Sequence, residues 1–284
     1  MELCTDLHIH TTESDGTATP TEVVIESKKA GLKAIAITDH DCVNGVTEAL
    51  IAAKEHNIEL ISGIEFSTLY NEQELHILGY YIDVANKNLR QEANYIAEAR
   101  RVRAEKIVKK LNSLGINICF DRVKSIASGE VIGRPHIAQA MIEKKYIDTI
   151  QQAFSKMYID KGGRAYVDRY KLAPESAIKL IHNAGGLAIV AHPGLCYQSK
   201  GLVAENIHDL IKLGLDGIEV FHSAHNKEQQ EYYKSLALKN SLLITGGSDY
   251  HGKTKKEGSE IGSVCLPYKY VKDMKHKVMM YKLK

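Results

Sequence analysis

The sequence predicts an α/β protein whose body is a mainly parallel, barrel-like sheet interrupted by a helical insertion. Short apolar runs alternate with helix-period patterns near both ends of the chain, as in stacked β/α units. The strand signal disappears in the middle, roughly from residue 88 to 165. The unusual polar residues recur at one kind of place, just after an apolar run.

From the start, "ELCTDLHI" reads as a strand, followed by a helix from Pro20 to Ala30. That helix is well signalled: Thr19 stands as N-cap, Pro20 at the first helical position, Glu22 three residues on for a capping box, and Gly31 past the end. "AIAIT", a helix through "GVTEALIAAKEH", and "ELISGIEF" continue the alternation, and "STLYNEQELHILGYY" reads as a hairpin turning at Asn71 to Glu74. Next comes "LRQEANYIAEARRVRAEKIVKKLNSLG", one long amphipathic helix pattern, with shorter helical pieces near 121–127, 135–144 and 149–158. After Pro174 the alternation resumes: "PESAIKLIHNA" ended by Gly185 and Gly186, "LAIVAH", a helix near 203–213, "DGIEVFH", a helix near 225–239, "SLLITGGSD", the strand "GSVCLP" and a basic helical tail. We therefore expect residues 1–87 and 171–284 to form two parts of one barrel, with 88–170 as a lid over it.

Composition sets bounds on function. The chain has 284 residues, 44% hydrophobic and 25% charged, enough for a sizeable core. Lys and Arg total 37 against 35 for Asp and Glu, a net charge of +2 that gives no global field for DNA or membranes. The five cysteines are scattered, odd in number and without a C-x-x-C pair. They argue against a disulfide framework or zinc knuckle and for a reducing cytoplasm. No basic and apolar leader precedes the first strand, and no apolar run nears the roughly 18 residues that span a bilayer. Neither export nor membrane insertion is expected, and no stable protein partner is evident.

The polar residues carry the chemistry. His8 and His10 are two apart on a strand and so point the same way. Asp15 follows; Asp39 and His40 end "AIAIT"; Glu65 ends "LISGI"; His76 lies on the returning hairpin strand; His192 ends "LAIVA"; His222 ends "GIEVF"; Asp249 and His251 follow "LLITGGS". In a parallel barrel the C-terminal strand ends share one mouth, where catalytic groups gather. Imidazole with carboxylate, and no thiolate among the matching positions, suits Mn, Fe, Zn or Co. Nine candidate donors, with one carboxylate bridging, would supply three divalent ions at about three donors each, leaving positions open for substrate. By contrast His182, His208, His225 and His276 read as surface or packing residues, His56 sits at a helix end, and Cys196 reads as a buried packing thiol.

The H-x-H with its following Asp, "TDHD", "GIEFS", "HILGY", "AHPG" and "GSDYHG", in this order, resemble the polymerase and histidinol phosphatase (PHP) family of metal-dependent phosphoesterases. The resemblance implies a distorted (β/α)7 barrel with a trinuclear centre. It implies one ion on His8, His10, Glu65 and Asp249, a second on Asp15, His40 and His251, and a third on Glu65, His76 and His192, with manganese expected ahead of iron or zinc. Asp39 and His222 lie near the mouth outside this set; Asp39 is expected to orient the ligands from behind and His222 to meet substrate. "EARRVRAEKIVKKLNSLG" followed by "GRPHIA" further resembles the subgroup acting on nucleoside 3′,5′-bisphosphates, some of whose members trim short RNA from the 5′ end. In that reading Arg100 and Arg103, three apart on one helix face, with Arg134, Pro135 and His136 at the next helix start, grip a phosphate. Hydrolysis of a phosphomonoester, the 3′-phosphate of a bisphosphate, is then the expected reaction. The rivals are a histidinol-phosphate-type phosphatase on the same ions and a polymerase-associated nucleic-acid-binding module. The arginine-bearing insertion disfavours the first; the intact ligand set and the unremarkable charge disfavour the second.

Overall fold

A computed structural model describes residues 3–127, 129–170, 172–196, 200–252 and 259–283. Its strands are β1 (Cys4–Asp6), β2 (Ala34–Ile37), β3 (Glu59–Tyr70), β4 (Gln73–Tyr80), β5 (Leu187–Val190), β6 (Gly217–His222), β7 (Leu243–Gly247) and β8 (Leu266–Pro267). They form one sheet in the order β7-β6-β5-β4-β3-β2-β1-β8. Neighbours pair in parallel except where β4 runs antiparallel between β3 and β5, and where β8 runs antiparallel to β1. The chain beyond β1 closes the sheet on β7: Leu7 N donates to the Gly246 carbonyl, Asp249 N to the His8 carbonyl and His10 N to the Tyr250 carbonyl, at 2.9–3.1 Å. Seven staves thus make the distorted barrel, and β8 covers the outer start of β1. The closure needs glycine at 247, where a Cβ would lie 2.4 Å from the backbone nitrogen of His8.

The local signals act as their physics requires. Helix α1 (Pro20–Lys29) starts at a capping box in which Glu22 N donates to Thr19 Oγ1 and Thr19 N to Glu22 Oε2. Helix α2 (Asn44–His56) returns the chain to β3. The β3–β4 hairpin turns on two residues with positive φ, Asn71 and Glu72, as the twist of a two-residue loop demands. Helix α3 (Lys87–Ser113) is the long amphipathic stretch, followed by α4 (Phe120–Ala127), α5 (Arg134–Glu143) and α6 (Ile150–Ala153). These helices bury an apolar cluster of their own, including Ile107, Leu111, Val123, Ile137 and Met141. In the second half, α7 (Pro174–Asn183), α8 (Ala204–Lys212), α9 (Lys227–Lys239) and α10 (Lys269–Lys282) pack outside the sheet.

Three readings need correction. Cys4 and Cys265 form a disulfide, where the scattered cysteines predicted none. The sequence separation of 261 hides a pairing that only the antiparallel contact of β1 with β8 creates. The last strand is two residues long rather than six, because only Leu266 and Pro267 reach β1. His225 precedes α9 and is a buried tie, its Nδ1–H donating to the Val220 carbonyl and its Nε2 accepting from Gly194 N. Among the described residues no helix is long and apolar enough to cross a membrane.

Candidate metal centre

All nine expected donors meet at the mouth of the barrel, around the fully buried carboxylate of Glu65. Its Oε2 lies 2.9 Å from His40 Nδ1, 3.3 Å from His10 Nε2 and 3.4 Å from His8 Nε2. Its Oε1 lies 2.9 Å from His76 Nδ1 and 3.0 Å from His192 Nε2. Asp249 Oδ1 stands 3.2 Å from His10 Nε2 and 3.5 Å from His8 Nε2 and from His251 Nδ1, while His251 Nε2 is 3.2 Å from Asp15 Oδ1. Donor atoms close enough to hold an ion fall into overlapping sets: His8 with His10 and Asp249; His10 with Asp15, His40 and His251; His40 with Glu65 and His76; and His8 with Glu219 and His222.

These side chains fit divalent ions. His8 Nε2, both ring nitrogens of His10, His40 Nδ1, Glu65 Oε2 and His192 Nδ1 are buried and make no hydrogen bond. A protein interior rarely leaves so many polar atoms unbonded, and the convergence of lone-pair donors on one spot supplies a reason. Electrostatics agrees. Burial alone would neutralise Glu65, yet His40, His76 and His8 hold it well below the usual carboxylate range. Burial likewise opposes a charge on His10 and His76, but Asp249 and Glu65 raise the first to about 9, and Glu65 with Glu74 raises the second to about 10. The site therefore draws positive charge into itself.

Residues around the cluster fix it. Asp39 accepts from Thr11 N, Thr11 Oγ1 and Ser14 Oγ at 2.5–2.8 Å, and so sets the loop that presents Asp15. His222 is buried, with its Nδ1 accepting from Ala224 N and its Nε2 3.5 Å from Asp249 Oδ2. It lies against the donors and does not line the arginine-bearing cavity beyond His40 and His76. Glu219 escaped the sequence reading. A charged residue amid the apolar run "GIEVF" signals a buried partner, because a carboxylate is not buried alone.

Beyond His40 and His76 a cavity opens between the mouth and the helices α3 and α5, lined by Arg100, Arg103, Arg134 and Pro135 together with Arg169. These arginines are not equivalent. Arg100 binds Asp41 through Nε at 3.0 Å and through a terminal nitrogen, which also donates to Ser67 Oγ. It joins α3 to the barrel. Arg169 bonds Glu74 Oε1 at 2.8 Å and the Thr68 carbonyl, and Arg134 lies over the Phe154 ring, 3.8 Å from Glu74 Oε2. Arg103 donates to the Val167 carbonyl; burial and the neighbouring Arg134, Arg100 and Arg169 pull its pKa down to about 10. His136 turns away: its Nδ1 accepts from Gly133 N and caps its own helix. Glu74 and Arg169 carried no spacing signal that would have marked them, and Asp41 stood inside "TDHD" with no role assigned to it.

A cluster of histidines and carboxylates at the open end of a β/α barrel, facing a basic cavity, defines a metal-dependent hydrolase of phosphate esters. The chain belongs to the PHP domain family, whose pattern matches residues 6–233. It is 37% identical over 247 residues to a 5′-3′ exoribonuclease of Haemophilus influenzae, covering 87% of this chain and 89% of that protein. It is 32% identical over 268 residues to a 3′,5′-nucleoside bisphosphate phosphatase of Chromobacterium violaceum, covering 92% and 94%. A Bifidobacterium adolescentis crystal structure described as a metal-dependent phosphoesterase superposes with a TM-score of 0.87 at 31% identity, over 96% of this chain and 95% of that one. The protein is accordingly a metal-dependent phosphoesterase.

Proposed function

We propose that this phosphoesterase removes the 3′-phosphate of nucleoside 3′,5′-bisphosphates, leaving nucleoside 5′-monophosphate, and that it also trims short 5′-phosphorylated RNA from the 5′ end. The observation that carries the reading is the crowding of Arg103 by three other arginines in a cavity that opens onto the metal donors. Cations held together without enough acid to match them favour a second anion, which a bisphosphate has and histidinol phosphate lacks. The names of the two relatives, one a bisphosphate phosphatase and one an exoribonuclease, support the same pair of substrates.

In this reading three divalent ions, manganese ahead of iron or zinc, would be held by the three sets implied by the resemblance: His8, His10, Glu65 and Asp249; Asp15, His40 and His251; Glu65, His76 and His192. Bound there, such ions supply positive charge to the phosphate oxygens and acidify water for attack. The protein's own groups do the rest. Arg103, Arg134 and Arg169 hold the non-reacting 5′-phosphate, so that its binding orients the 3′-phosphate toward the donors. Arg100 contributes by fixing α3 on the barrel through Asp41. His222 keeps its proton at Nε2, since Nδ1 accepts from Ala224. Residues 88–170 act as a lid domain.

Product analysis with adenosine 3′,5′-bisphosphate and metal-reconstituted protein tests the reading. Adenosine 5′-monophosphate and phosphate are expected. The 3′-monophosphate as product would reverse the polarity and remove the arginines from the role given to them. Release of nucleoside 5′-monophosphates from the 5′ end of a short RNA tests the second substrate.

A further inference from the structure

We propose that Glu219 is a positioning residue of the metal centre: it holds the His8 ring and the His192 backbone in the attitudes that turn His8 Nε2 and the His192 ring toward the ions. The inference rests on the metal reading above and goes beyond it, because Glu219 belongs to none of the three ligand sets.

The geometry starts in the strand. Residues of β6 should alternate in facing, which would put Glu219 and His222, three apart, on opposite sides of the sheet. The register against β7 slips between Glu219 and Phe221, pairing Glu219 with Thr245 and Phe221 with Gly246. That irregularity inserts one residue and reverses the facing beyond it. Glu219 and His222 consequently both point inward, 0% and 1% exposed. Gly246 permits the slip, since a Cβ there would meet the Phe221 carbonyl oxygen at 2.4 Å.

Each carboxylate oxygen of Glu219 then has one donor. Oε1 accepts from His8 Nδ1–H at 2.9 Å, which fixes the proton on Nδ1 and leaves Nε2 with a lone pair directed at Glu65 and Asp249. Oε2 accepts from the backbone N–H of His192 at 2.7 Å. His192 needs such an anchor, because its φ of 26° and ψ of 56° lie in the left-handed region that a side-chain-bearing residue seldom adopts. One buried carboxylate thus ties strands β1 and β5 to β6 beneath the site. Glutamine, its isostere, can accept only one of the two N–H groups, since its amide nitrogen is itself a donor.

Two measurements test this. In zinc-loaded wild-type protein with 15N-labelled histidine, the His8 ring is expected to carry its proton on Nδ1 and the metal on Nε2, with the Nδ1 proton shifted downfield by its bond to a carboxylate. A His8 ring indifferent to zinc would defeat the metal reading itself. A zinc-bound ring with its proton on Nε2 would overturn the role of Glu219 alone. In the second measurement, calorimetric titration of Glu219→Gln with zinc is expected to show the wild-type number of ions bound with affinity weakened about 10- to 100-fold, the usual cost of losing an outer hydrogen bond to a metal-binding histidine. Unchanged affinity refutes the proposal. Loss of one whole ion also refutes it, by making Glu219 a ligand.

Discussion

At the scale of the residue, Glu65 is the centre of the site, since five histidine nitrogens lie within 3.4 Å of its two oxygens. Glu65→Gln keeps the shape but removes the charge that gathers cations. Elemental analysis should find at least one ion lost and phosphatase activity should fall below detection; full occupancy with normal turnover would exclude Glu65. The arginines differ in a way that can also be measured. Arg103 and Arg134 are assigned to the distant phosphate, so alanine at either should lower kcat/KM for a bisphosphate about 10- to 100-fold, the worth of roughly 1.5–3 kcal/mol for a charged hydrogen bond. Hydrolysis of a small aryl phosphate, which needs only the metals, should be nearly unchanged. Equal losses on both substrates would place these arginines in support of the fold. Most of the candidate donors were legible in the sequence because they close or follow an apolar strand run, a position that faces the mouth of a parallel barrel; Asp15, in the loop after β1, and His76, on the antiparallel β4, do not, and were marked only by the motifs around them. Glu74 and Arg169 were not legible, nor was the role of Asp41 within "TDHD", because their contacts, Asp41 with Arg100 and Glu74 with Arg134 and Arg169, run between the barrel and residues 88–170, where sequence distance says nothing of contact.

At the scale of the element, the seam itself can be tested through Asp41. Its φ of 52° suits asparagine as well as aspartate, so Asp41→Asn changes the charge without straining the backbone. Asparagine can still accept from Ser67 N as Asp41 Oδ1 does at 2.8 Å, but its amide would face the Arg100 guanidinium donor to donor. Losing one partner of a largely buried ion pair should cost on the order of 1–3 kcal/mol, discounted from the full buried value because the Arg100 side chain is 20% exposed. The urea midpoint should fall accordingly, and KM for bisphosphate should rise as α3 loosens over the cavity. An unaltered midpoint would mean that the pair contributes nothing to holding the insertion. Helices were the most legible elements: α1 and α3 announce themselves by caps and by period. Strand β6 was legible as a strand but not in its facing, since the slip after Glu219 depends on Gly246 in a neighbour that only the folded sheet supplies.

At the scale of the whole molecule, the alternation of strands and helices predicted the barrel, but how it is closed was hidden. Nothing in "GSVCLP" or in the scattered cysteines says that the two ends of the chain meet. In the fold, β8 lies antiparallel to β1 and the Cys4–Cys265 bond joins them, enclosing almost the whole chain in one covalent loop. A cross-link over so long a loop restricts the unfolded chain strongly, and native disulfides typically contribute about 2–4 kcal/mol. Cys265→Ser should therefore lower Tm by roughly 4–16 °C, at about 2–4 °C per kcal/mol for a chain of this size or somewhat smaller. Activity at low temperature should be preserved. Cys4 begins β1 while His8 and His10 lie beyond its other end, and among the described residues neither cysteine lines the metal cluster or the arginine cavity. A thermal scan of the wild-type protein with and without reductant should show the same displacement as the substitution. If reductant leaves Tm unchanged while Cys265→Ser lowers it, the loss belongs to packing at the β1–β8 edge, and the barrel is closed by its hydrogen bonds to β7 without help from the bond between its ends.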